Sequence, residues 1–313
     1  MLDDLKMIAQ RDKSDTLGVA EKQLNQLDYK FDLSIEKKAE IHNVVFAGMG
    51  GSALYADLAQ SWPGINVPYQ IVKSYNIPSY VDENTLFIAS SFSGNTEEAL
   101  SALTEAEQSG ATIAIITGGG KLAEIAKKKG YPCAHLASDK IPQPRMAVLD
   151  GLKALVSIWE AVGLVEGRVV ELDQAADKLK DVTKAWRPDV PTKDNPAKQL
   201  ANDLMGRSMV IYGGTLTAPV AYKWKISFNE NAKNVAWTNA YPEFNHNEFM
   251  GWVSHPVEKP YGVINLQYFR VGSQRNRGIE ILKLRGMNHS KKIHPFEITN
   301  KGIKIDPDKP ISL

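Results

Sequence analysis

The first half of the chain alternates short, β-branched apolar runs with stretches of helical periodicity. Five runs are predicted strands: Asn43–Gly48, Tyr69–Lys73, Thr85–Ser90, Thr112–Gly118 and Cys133–Leu136. Helices are predicted at Ser52–Trp62, Asn95–Ser109, Lys121–Lys128 and Val148–Val162. Apolar strands that alternate with helices are typical of a parallel sheet covered on both faces. This half is therefore predicted to be one doubly wound α/β domain.

The second half repeats this alternation after a break in the chain. A charged helical segment is predicted from Arg168 to Trp186, and the proline-rich stretch Pro188–Pro191 interrupts it. The later elements are strand Ser208–Gly214, helix Thr217–Asn229, strands Asn234–Thr238 and Tyr261–Tyr268, helix Ser273–Arg285 and strand Lys291–Ile298. Single cores stop growing near ~250 to 300 residues. We therefore predict two doubly wound parallel-sheet α/β domains, at residues 1–165 and 166–313.

Charge and cysteine content exclude several classes of protein. The 37 Lys and Arg nearly balance the 36 Asp and Glu, without a basic block interleaved with aromatics, so no nucleic-acid partner is expected. The single cysteine, Cys133, cannot form an internal disulfide, and no Cys or His spacing matches a structural zinc site. No apolar run reaches the ~18 residues of a membrane span, and the charged start lacks a signal-peptide core. A soluble, cytoplasmic protein without a membrane partner is expected.

The end of the sequence lacks a predicted helix after the last strand. A polar tail, Asp306–Pro310, follows instead. Because a parallel sheet normally has both faces buried, either another subunit covers one face or a natural C-terminal segment is missing.

Three hydroxyls and a glycine lie between the strand Thr85–Ser90 and the next helix. They belong to Ser91, Ser93, Gly94 and Thr96. The free N–H groups and the positive dipole at a helix N-terminus attract an anion, and hydroxyls can donate to its oxygens. The pattern favours a phosphate site. The alternative is ordinary capping of the helix by a hydroxyl, with acidic residues in its first turn.

The turn AGMGGSAL after the first strand matches the dinucleotide fingerprint G-x-G-x-x-A, beginning at Gly48. That fingerprint expects an acidic residue about 20 positions later, but Gln70–Ser74 contains none. The missing carboxylate disfavours a dehydrogenase. Both turns lie at strand C-termini, so Gly50, Gly51 and Ser52 are predicted to form a second wall of the phosphate site.

Arg145 follows two prolines and precedes an apolar helix. Prolines stiffen the segment, so the guanidinium can be aimed at an anion at little entropic cost. The alternative is a solvated arginine at a helix start.

A cluster of acids and a histidine in the second half is suited to proton transfer. It contains Glu230, Glu243, His246 and Glu248 among several asparagines. A carboxylate and an imidazole can shuttle protons at neutral pH. The His-x-Glu spacing also occurs in metal sites, but no further ligand stands at the required spacing, so no metal is expected. The other histidines lack clustered partners: His42, His135, His255, His289 and His294.

Four motifs, AGMGGSAL, SSFSGNTEE, PQPRMAVL and NENAK with PEFNHNE, lie in this order over roughly residues 40 to 250. Together they resemble the bifunctional phosphoglucose/phosphomannose isomerases, which contain sugar isomerase (SIS) domains. The resemblance implies two SIS-type domains and isomerisation of hexose 6-phosphates through a cis-enediol, without a cofactor. It also implies phosphate binding by Ser52, Ser91, Ser93 and Thr96.

The same resemblance implies an enediolate-stabilising role for Arg145, Glu230 as the base and His246 as the ring-opening acid. It further implies a homodimer in which the neighbouring subunit contributes the histidine. The family normally continues into C-terminal helices that bring a lysine to the sugar, and no lysine of the C-terminal tail is assigned that role. A non-catalytic regulator that binds sugar phosphates is the alternative.

Overall fold

The computed structural model describes residues 2–36, 39–253, 261–271, 274–284, 292–299 and 302–305. The chain divides into two compact units. The first unit is Ser14–Asp177. The second unit combines the residues up to Lys13 with those from Lys178 onward. The boundary predicted between residues 165 and 166 lies just before the helix Arg168–Thr183, within which the chain passes from one unit to the other.

The chain begins with α1 (Leu5–Arg11), which belongs to the second unit. The first unit then contains α2 (Thr16–Glu21), a 3₁₀ turn (Gln23–Asp28), β1 (Asn43–Ala47), α3 (Gly51–Ser61), β2 (Tyr69–Val72), β3 (Thr85–Ser91), α4 (Glu97–Gln108), β4 (Thr112–Thr117), α5 (Gly120–Lys129), β5 (Cys133–His135), a 3₁₀ turn (Pro144–Met146), α6 (Val148–Ala161) and the start of α7 (Arg168–Thr183). The five strands and four helices predicted for the first half are confirmed. The short helical elements before β1 were not predicted.

The first sheet has the order β2-β1-β3-β4-β5, and all its strand pairs are parallel. Side chains of β1 alternate between its faces. Val45 packs into a cluster with Leu103 of α4 and Leu122 of α5. On the opposite face, Phe46 meets the ring of Tyr55 on α3, edge to face. Helices therefore cover both faces, as predicted for this half.

The order of these strands places a topological switch point between β1 and β3. The chain leaves β1 toward one edge of the sheet and continues from β3 toward the other. Open α/β sheets bind ligands in the crevice outside the carboxyl ends of strands at such a point. The turns after Ala47 and Ser91 flank it.

The second unit is built around a mixed sheet. Its elements are α8 (Pro196–Leu204), β6 (Ser208–Gly213), α9 (Ala218–Glu230), β7 (Ala236–Ala240), a 3₁₀ turn (Glu243–His246), α10 (Glu248–Val253), β8 (Tyr261–Val271), β9 (Gln274–Leu284), β10 (His294–Thr299) and β11 (Gly302–Ile305). The strand order is β11-β10-β9-β8-β6-β7. β6 is parallel to β7 and β8, whereas β8 to β11 pair antiparallel.

The helix predicted at Ser273–Arg285 is wrong within the described residues, because Gln274–Leu284 is the strand β9. It pairs antiparallel with β8 over its whole length. Only Gly272 and Ser273 separate the two strands in sequence, and a two-residue Gly-Ser spacer is a hairpin signal. The second sheet is consequently mixed rather than doubly wound and parallel. The predicted tail at Asp306–Pro310 lies outside the described residues.

Both faces of β6 are covered. Met209 packs with Leu204 of α8 and Ala236 of β7, whereas Tyr212 on the other face packs with Phe244. No prediction was made for α8, although Asn195 caps its first turn by accepting from the Lys198 N–H at 3.1 Å and Pro196 follows. Asn before Pro is a helix-start signal. Among the described helices, none has the length and apolarity to span a bilayer.

Candidate active site

The turns that follow β1 and β3 are joined through Ser52. Its Oγ accepts a hydrogen bond from the Phe92 N–H at 2.9 Å, and its carbonyl accepts from the Ser90 hydroxyl at 3.2 Å. Ser90 also bonds to the buried Tyr55 hydroxyl. Burial, the largest cause, raises the pKa of Tyr55, so its hydroxyl stays protonated. The Ser52 hydroxyl accepts here and still has its own proton to donate at the switch point.

The hydroxyls of the serine loop, residues 91–96, converge on one another. Ser91 Oγ lies 2.7 Å from Thr96 Oγ1 and 3.4 Å from Ser93 Oγ, and it accepts from the Gly94 N–H at 3.1 Å. Ser91 is buried, Thr96 is half-buried and Ser93 is exposed. The loop therefore presents hydroxyls from the protein interior out to solvent.

Capping does not account for these hydroxyls. Thr96 occupies the N-cap of α4, but its side chain makes no capping bond and meets Ser91 instead. The N–H groups of the first turn of α4 are thus left without a hydroxyl cap, as an anion site requires. Glu98 is the largest cause, ahead of Glu97, of the raised pKa of Tyr75, so both acids of this first turn lie near that phenol.

Gly94 locks the serine loop to the loop that follows β4. Its φ of 70° is left-handed, and a Cβ would stand 1.7 Å from the carbonyl oxygen of Gly119. The Gly94 carbonyl accepts from the Leu122 N–H at 3.0 Å, and Thr117 Oγ1 donates to the Ser91 carbonyl at 2.7 Å. The close approach that the structure shows is that of the neighbouring backbone.

Arg145 lies beside the start of α3. A Cβ on Gly51 would stand 2.6 Å from the Arg145 backbone nitrogen, so only glycine permits this packing. The half-buried Arg145 donates from Nη1 to Gln143 Oε1 at 2.8 Å. The backbone of Arg145 thus packs directly against the residue before Ser52. The structure brings together the predicted residues of the first unit: Gly51, Ser52, Ser91, Ser93, Thr96 and Arg145.

Glu230 and His246 belong to the second unit. Glu230 is the last residue of α9 and is exposed. A carboxylate at the negative end of a helix dipole is unfavourable by ~0.3 to 1 kcal/mol, so helix stability does not explain this residue. His246 ends the 3₁₀ turn and is exposed, while Phe244 in the same turn is fully buried and stacks on Tyr212 with centroids 4.2 Å apart. The turn is anchored and its imidazole is accessible.

The competing acids of the second unit have different surroundings. Both carboxylate oxygens of Glu248 accept hydrogen bonds, one from the Tyr212 hydroxyl and one from Asn239 Nδ2 at 2.7 Å. Burial, followed by the bond to Glu248, raises the pKa of Tyr212. Glu243 is exposed and accepts from Asn247 Nδ2 at 2.6 Å. Both oxygens of Glu248 are therefore engaged in hydrogen bonds within the second unit.

Two buried polar residues near Arg145 were missed from the sequence, Gln26 and Asp150. Asp150 is fully buried and accepts from the Ala137 N–H at 2.9 Å through Oδ2, while its Oδ1 has no partner. Burial raises its pKa to about 6. An acid in the first turn of a helix is ordinarily solvated and stabilises the helix dipole, so nothing in the sequence indicated that Asp150 is buried. In the part of the chain that the structure describes, no three His, Cys, Asp or Glu side chains form a metal site.

Known proteins show where the chain belongs. A family profile described as the bacterial phospho-glucose isomerase C-terminal SIS domain matches residues 193–302. A bifunctional phosphoglucose/phosphomannose isomerase of Caldicellulosiruptor bescii is 38% identical over 240 residues, 75% of this chain and 68% of that protein. The chain belongs to the bifunctional phosphoglucose/phosphomannose isomerase family. This confirms the resemblance drawn from the four motifs.

Two further relatives of this chain extend the comparison. A bifunctional phosphoglucose/phosphomannose isomerase of Aquifex aeolicus is 35% identical over 213 residues, 67% of this chain and 62% of that protein. A protein of Sulfolobus acidocaldarius, named D-glucosamine-6-phosphate 4-epimerase, is 30% identical over 219 residues, 69% of this chain and 65% of that protein. The chain thus spans somewhat less than two thirds of these two relatives.

Solved structures agree on the fold. The C-terminal domain of a glucosamine-fructose-6-phosphate aminotransferase from Francisella tularensis matches with a TM-score of 0.57 at 14% identity, over 75% of this chain and 71% of that one. A glucose-6-phosphate isomerase like protein from Thermus thermophilus matches with a TM-score of 0.52 at 17% identity, over 84% and 74%. Helices on a parallel sheet are the shared feature.

Proposed function

We propose that this chain catalyses the aldose–ketose isomerisation of hexose 6-phosphates, interconverting glucose 6-phosphate and fructose 6-phosphate and also acting on mannose 6-phosphate. One observation carries the proposal. The hydroxyls of Ser52, Ser91 and Thr96 gather at the switch point of the sheet, in a chain of this isomerase family. Charge-assisted hydrogen bonds from hydroxyls and helix N–H groups suit a phosphate dianion. Ser93 and the backbone of Gly51 complete this phosphate site.

The chemistry is assigned to three residues. His246 donates a proton to the ring oxygen and opens the sugar. Glu230, as a carboxylate, removes the C2 proton of the open aldose to give a cis-enediolate with its negative charge on O1. The O2 hydroxyl proton then passes to O1, and Glu230 returns the proton to C1 to give the ketose. The guanidinium of Arg145 stabilises the negative oxygen of that intermediate. Glucose and mannose 6-phosphates share one enediol and differ in the face that is reprotonated at C2. No step calls for a metal or nucleotide.

Three further features belong to the proposal. The two units are SIS-type domains, the second with a sheet extended by antiparallel strands. The enzyme is a homodimer in which His246 acts in the site of the neighbouring subunit, as the resemblance implies. We also propose a cytoplasmic location, because burial raises the pKa of the single cysteine, Cys133, to about 11, and an inert, unpaired thiol suits a reducing compartment.

The alternative of a non-catalytic regulator is not favoured, since the relatives above are named as enzymes. A coupled assay on glucose 6-phosphate and mannose 6-phosphate tests the proposal directly. Glucosamine 6-phosphate is included because one relative carries a 4-epimerase name. Turnover of glucosamine 6-phosphate alone, without isomerisation of either hexose phosphate, would contradict the proposed substrate class.

The phosphate site is tested by Ser91→Ala combined with Thr96→Ala. Losing two hydrogen bonds to a charged group should weaken binding of any phosphorylated sugar by ~2 to 4 kcal/mol, with an intact fold. Thr104→Ala is the matched control, because Thr104 is exposed on the same helix and its hydroxyl donates to the Leu100 carbonyl of that helix, at 3.0 Å. Calorimetry that shows equal affinity in the double variant and the control would remove the serine loop from the site.

Glu230→Gln tests the base. The neutral isostere cannot take a proton, so kcat should fall by ~10² to 10⁴ while phosphate affinity stays nearly unchanged. Solvent-deuterium exchange into C2 of glucose 6-phosphate separates Glu230 from Glu243 and Glu248. Wild-type exchange in Glu230→Gln, with loss of exchange in Glu243→Gln or Glu248→Gln, would assign the base to the other acid. Mixing inactive Glu230→Gln chains with inactive His246→Ala chains tests the site shared between subunits. Recovery of activity after subunit exchange would support that shared site, and no recovery would contradict it.

A further inference from the structure

Gln26 joins two remote segments beside Arg145. Its Nε2 donates to the Met146 carbonyl at 2.7 Å, and its Oε1 accepts from the Asp150 N–H at 3.1 Å. Gln26 is only 5% exposed, although it stands 120 positions earlier in the chain than Met146. Both polar ends of a buried amide are satisfied by the backbone at the start of α6. This bond pair fixes the residue that follows Arg145.

The element that carries Gln26 is itself anchored. Leu27 is 3% exposed, and its carbonyl accepts a hydrogen bond from Lys153 Nζ. Lys153 is 2% exposed and also contacts Asp173 Oδ1 on α7 at 2.5 Å. Separating a buried ammonium from its carboxylate partner costs several kcal/mol, so this attachment is rigid. The 3₁₀ turn Gln23–Asp28 is therefore held rigidly against α6.

The segment that Gln26 holds lies directly against the phosphate site. The Arg145 backbone leaves no room for a Cβ on Gly51, the residue before Ser52. Met146 packs with Ile141 and Val19 below it. The Met146 carbonyl lies one residue beyond Arg145 in the same short 3₁₀ turn, so a shift of that carbonyl is transmitted through the Met146 Cα to the Arg145 backbone. A misplacement of ~1 Å at a catalytic group can lower a rate by ~10²-fold.

We propose that Gln26 is a positioning residue that holds the Arg145 segment in register with the phosphate loop. It acts through Arg145 and contacts no reacting atom. This inference rests on the proposed function for its catalytic consequence, but not for its structural content. The two parts are therefore tested by different measurements.

Hydrogen exchange followed by mass spectrometry tests the structural part without any substrate. Gln26→Met keeps the side-chain volume and removes both bonds, so the Asp150 amide and the amides of residues 141–147 should exchange about tenfold faster or more, while those of residues 91–96 stay unchanged. Gln23→Met is the matched control, since Gln23 lies on the same turn and reaches the Met146 carbonyl only at 3.5 Å. If Gln26→Met does not fold, Gln26→Glu serves, because it keeps the acceptor for the Asp150 amide. Equal exchange in the Gln26 and Gln23 variants would overturn the proposal.

Kinetics test the catalytic part. In the wild-type background, Gln26→Met should lower kcat on glucose 6-phosphate by ~10 to 100-fold, with the affinity for inorganic phosphate within about twofold. In an Arg145→Ala background the same change should have almost no further effect on kcat, because residues that act as a unit are not additive. Equal losses in both backgrounds would show a general structural role and overturn the positioning role. A wild-type enzyme inactive on every hexose phosphate would refute the proposed function, while the exchange result still decides whether Gln26 holds the segment.

Discussion

Asp150→Asn should make the protein more stable relative to wild type as the pH rises from acid to neutral. Asp150 is fully buried with one carboxylate oxygen unpaired, and burial raises its pKa to about 6 from the ordinary 3.8. A carboxyl group with a raised pKa favours the folded state most when it is protonated. That contribution is fully present below pH 3.8 and is lost as the pH rises through about 6.

The magnitude follows from the two pKa values. One pKa unit corresponds to about 1.4 kcal/mol, so the full effect of the charge on Asp150 is ~3 kcal/mol. Of this, roughly 2 kcal/mol falls between about pH 4.5 and 7. An asparagine does not titrate, and its Oδ1 can still accept from the Ala137 N–H. The difference in unfolding free energy between Asp150→Asn and wild type should therefore rise by ~2 kcal/mol over that interval.

Urea unfolding at a series of pH values measures this difference, and the effects of all other titrating groups cancel in it. Asp139→Asn is the matched control for removing one carboxylate, because Asp139 is exposed on the loop that contains Ala137. The test is how this difference in unfolding free energy changes with pH, not its value at any one pH. The new amide N–H₂ leaves a buried donor unpaired, which lowers the stability of Asp150→Asn by ~1 to 3 kcal/mol at every pH. A difference that stays constant within 0.5 kcal/mol, as a rough limit of such measurements, would refute the buried, charged state assigned to Asp150.

Two further substitutions test the packing of each unit. Gly94→Ala should destabilise the first unit by ~3 kcal/mol or more in thermal unfolding, because its Cβ would meet the Gly119 carbonyl oxygen. Gly130 has the same φ of 70°, but a Cβ there meets nothing within 4 Å, so Gly130→Ala should cost only ~1 kcal/mol. Equal losses in the two variants would contradict the close packing of Gly94 on Gly119. Lys198→Met removes bonds to Asp3 Oδ1 at 2.9 Å and to the carbonyls of residues 188 and 190 at 2.7 Å. It should cost ~1 to 3 kcal/mol in urea unfolding, because two carbonyls lose a charged donor. The control is Lys193→Met, whose side chain is 81% exposed and which should change stability by less than ~0.5 kcal/mol. Equal losses in Lys193→Met and Lys198→Met would contradict the stabilising role of the Lys198 bonds.

The sequence predicts secondary structure correctly where a pattern of apolar residues is compatible with only one type of element. The strand Thr85–Ser91 has an apolar centre, from Leu86 to Ala89, and is buried at every position, so the sequence indicated both a strand and a central place in the sheet. Its polar continuation through Thr96 was predicted to bind phosphate and does lie at the switch point. The segment Gln274–Leu284 was ambiguous, because its apolar residues fit both a helix and a hairpin strand. Pairing with β8, a long-range interaction, decides between them.

Residues that act through long-range backbone contacts gave no sequence signal. Gln26 and Asp150 matter only because remote parts of the chain meet at the start of α6. The close packing of Gly51 on Arg145 likewise depends on tertiary structure, although both residues had been singled out for other reasons. The roles of Glu230 and His246 remain predictions from motif and chemistry.

The path of the chain between the two units has a consequence for biosynthesis. Asp3 binds Lys198, which stands 195 positions later, so the residues up to Lys13 lack their partner until most of the protein has been translated. At ~5 to 20 residues per second, Lys198 leaves the ribosome ~10 to 40 s after Asp3. The unit Ser14–Asp177 has all of its own strands by then and can fold first. The segment up to Lys13 thus waits for its partner while the unit Ser14–Asp177 folds, and it becomes ordered only when the second unit forms.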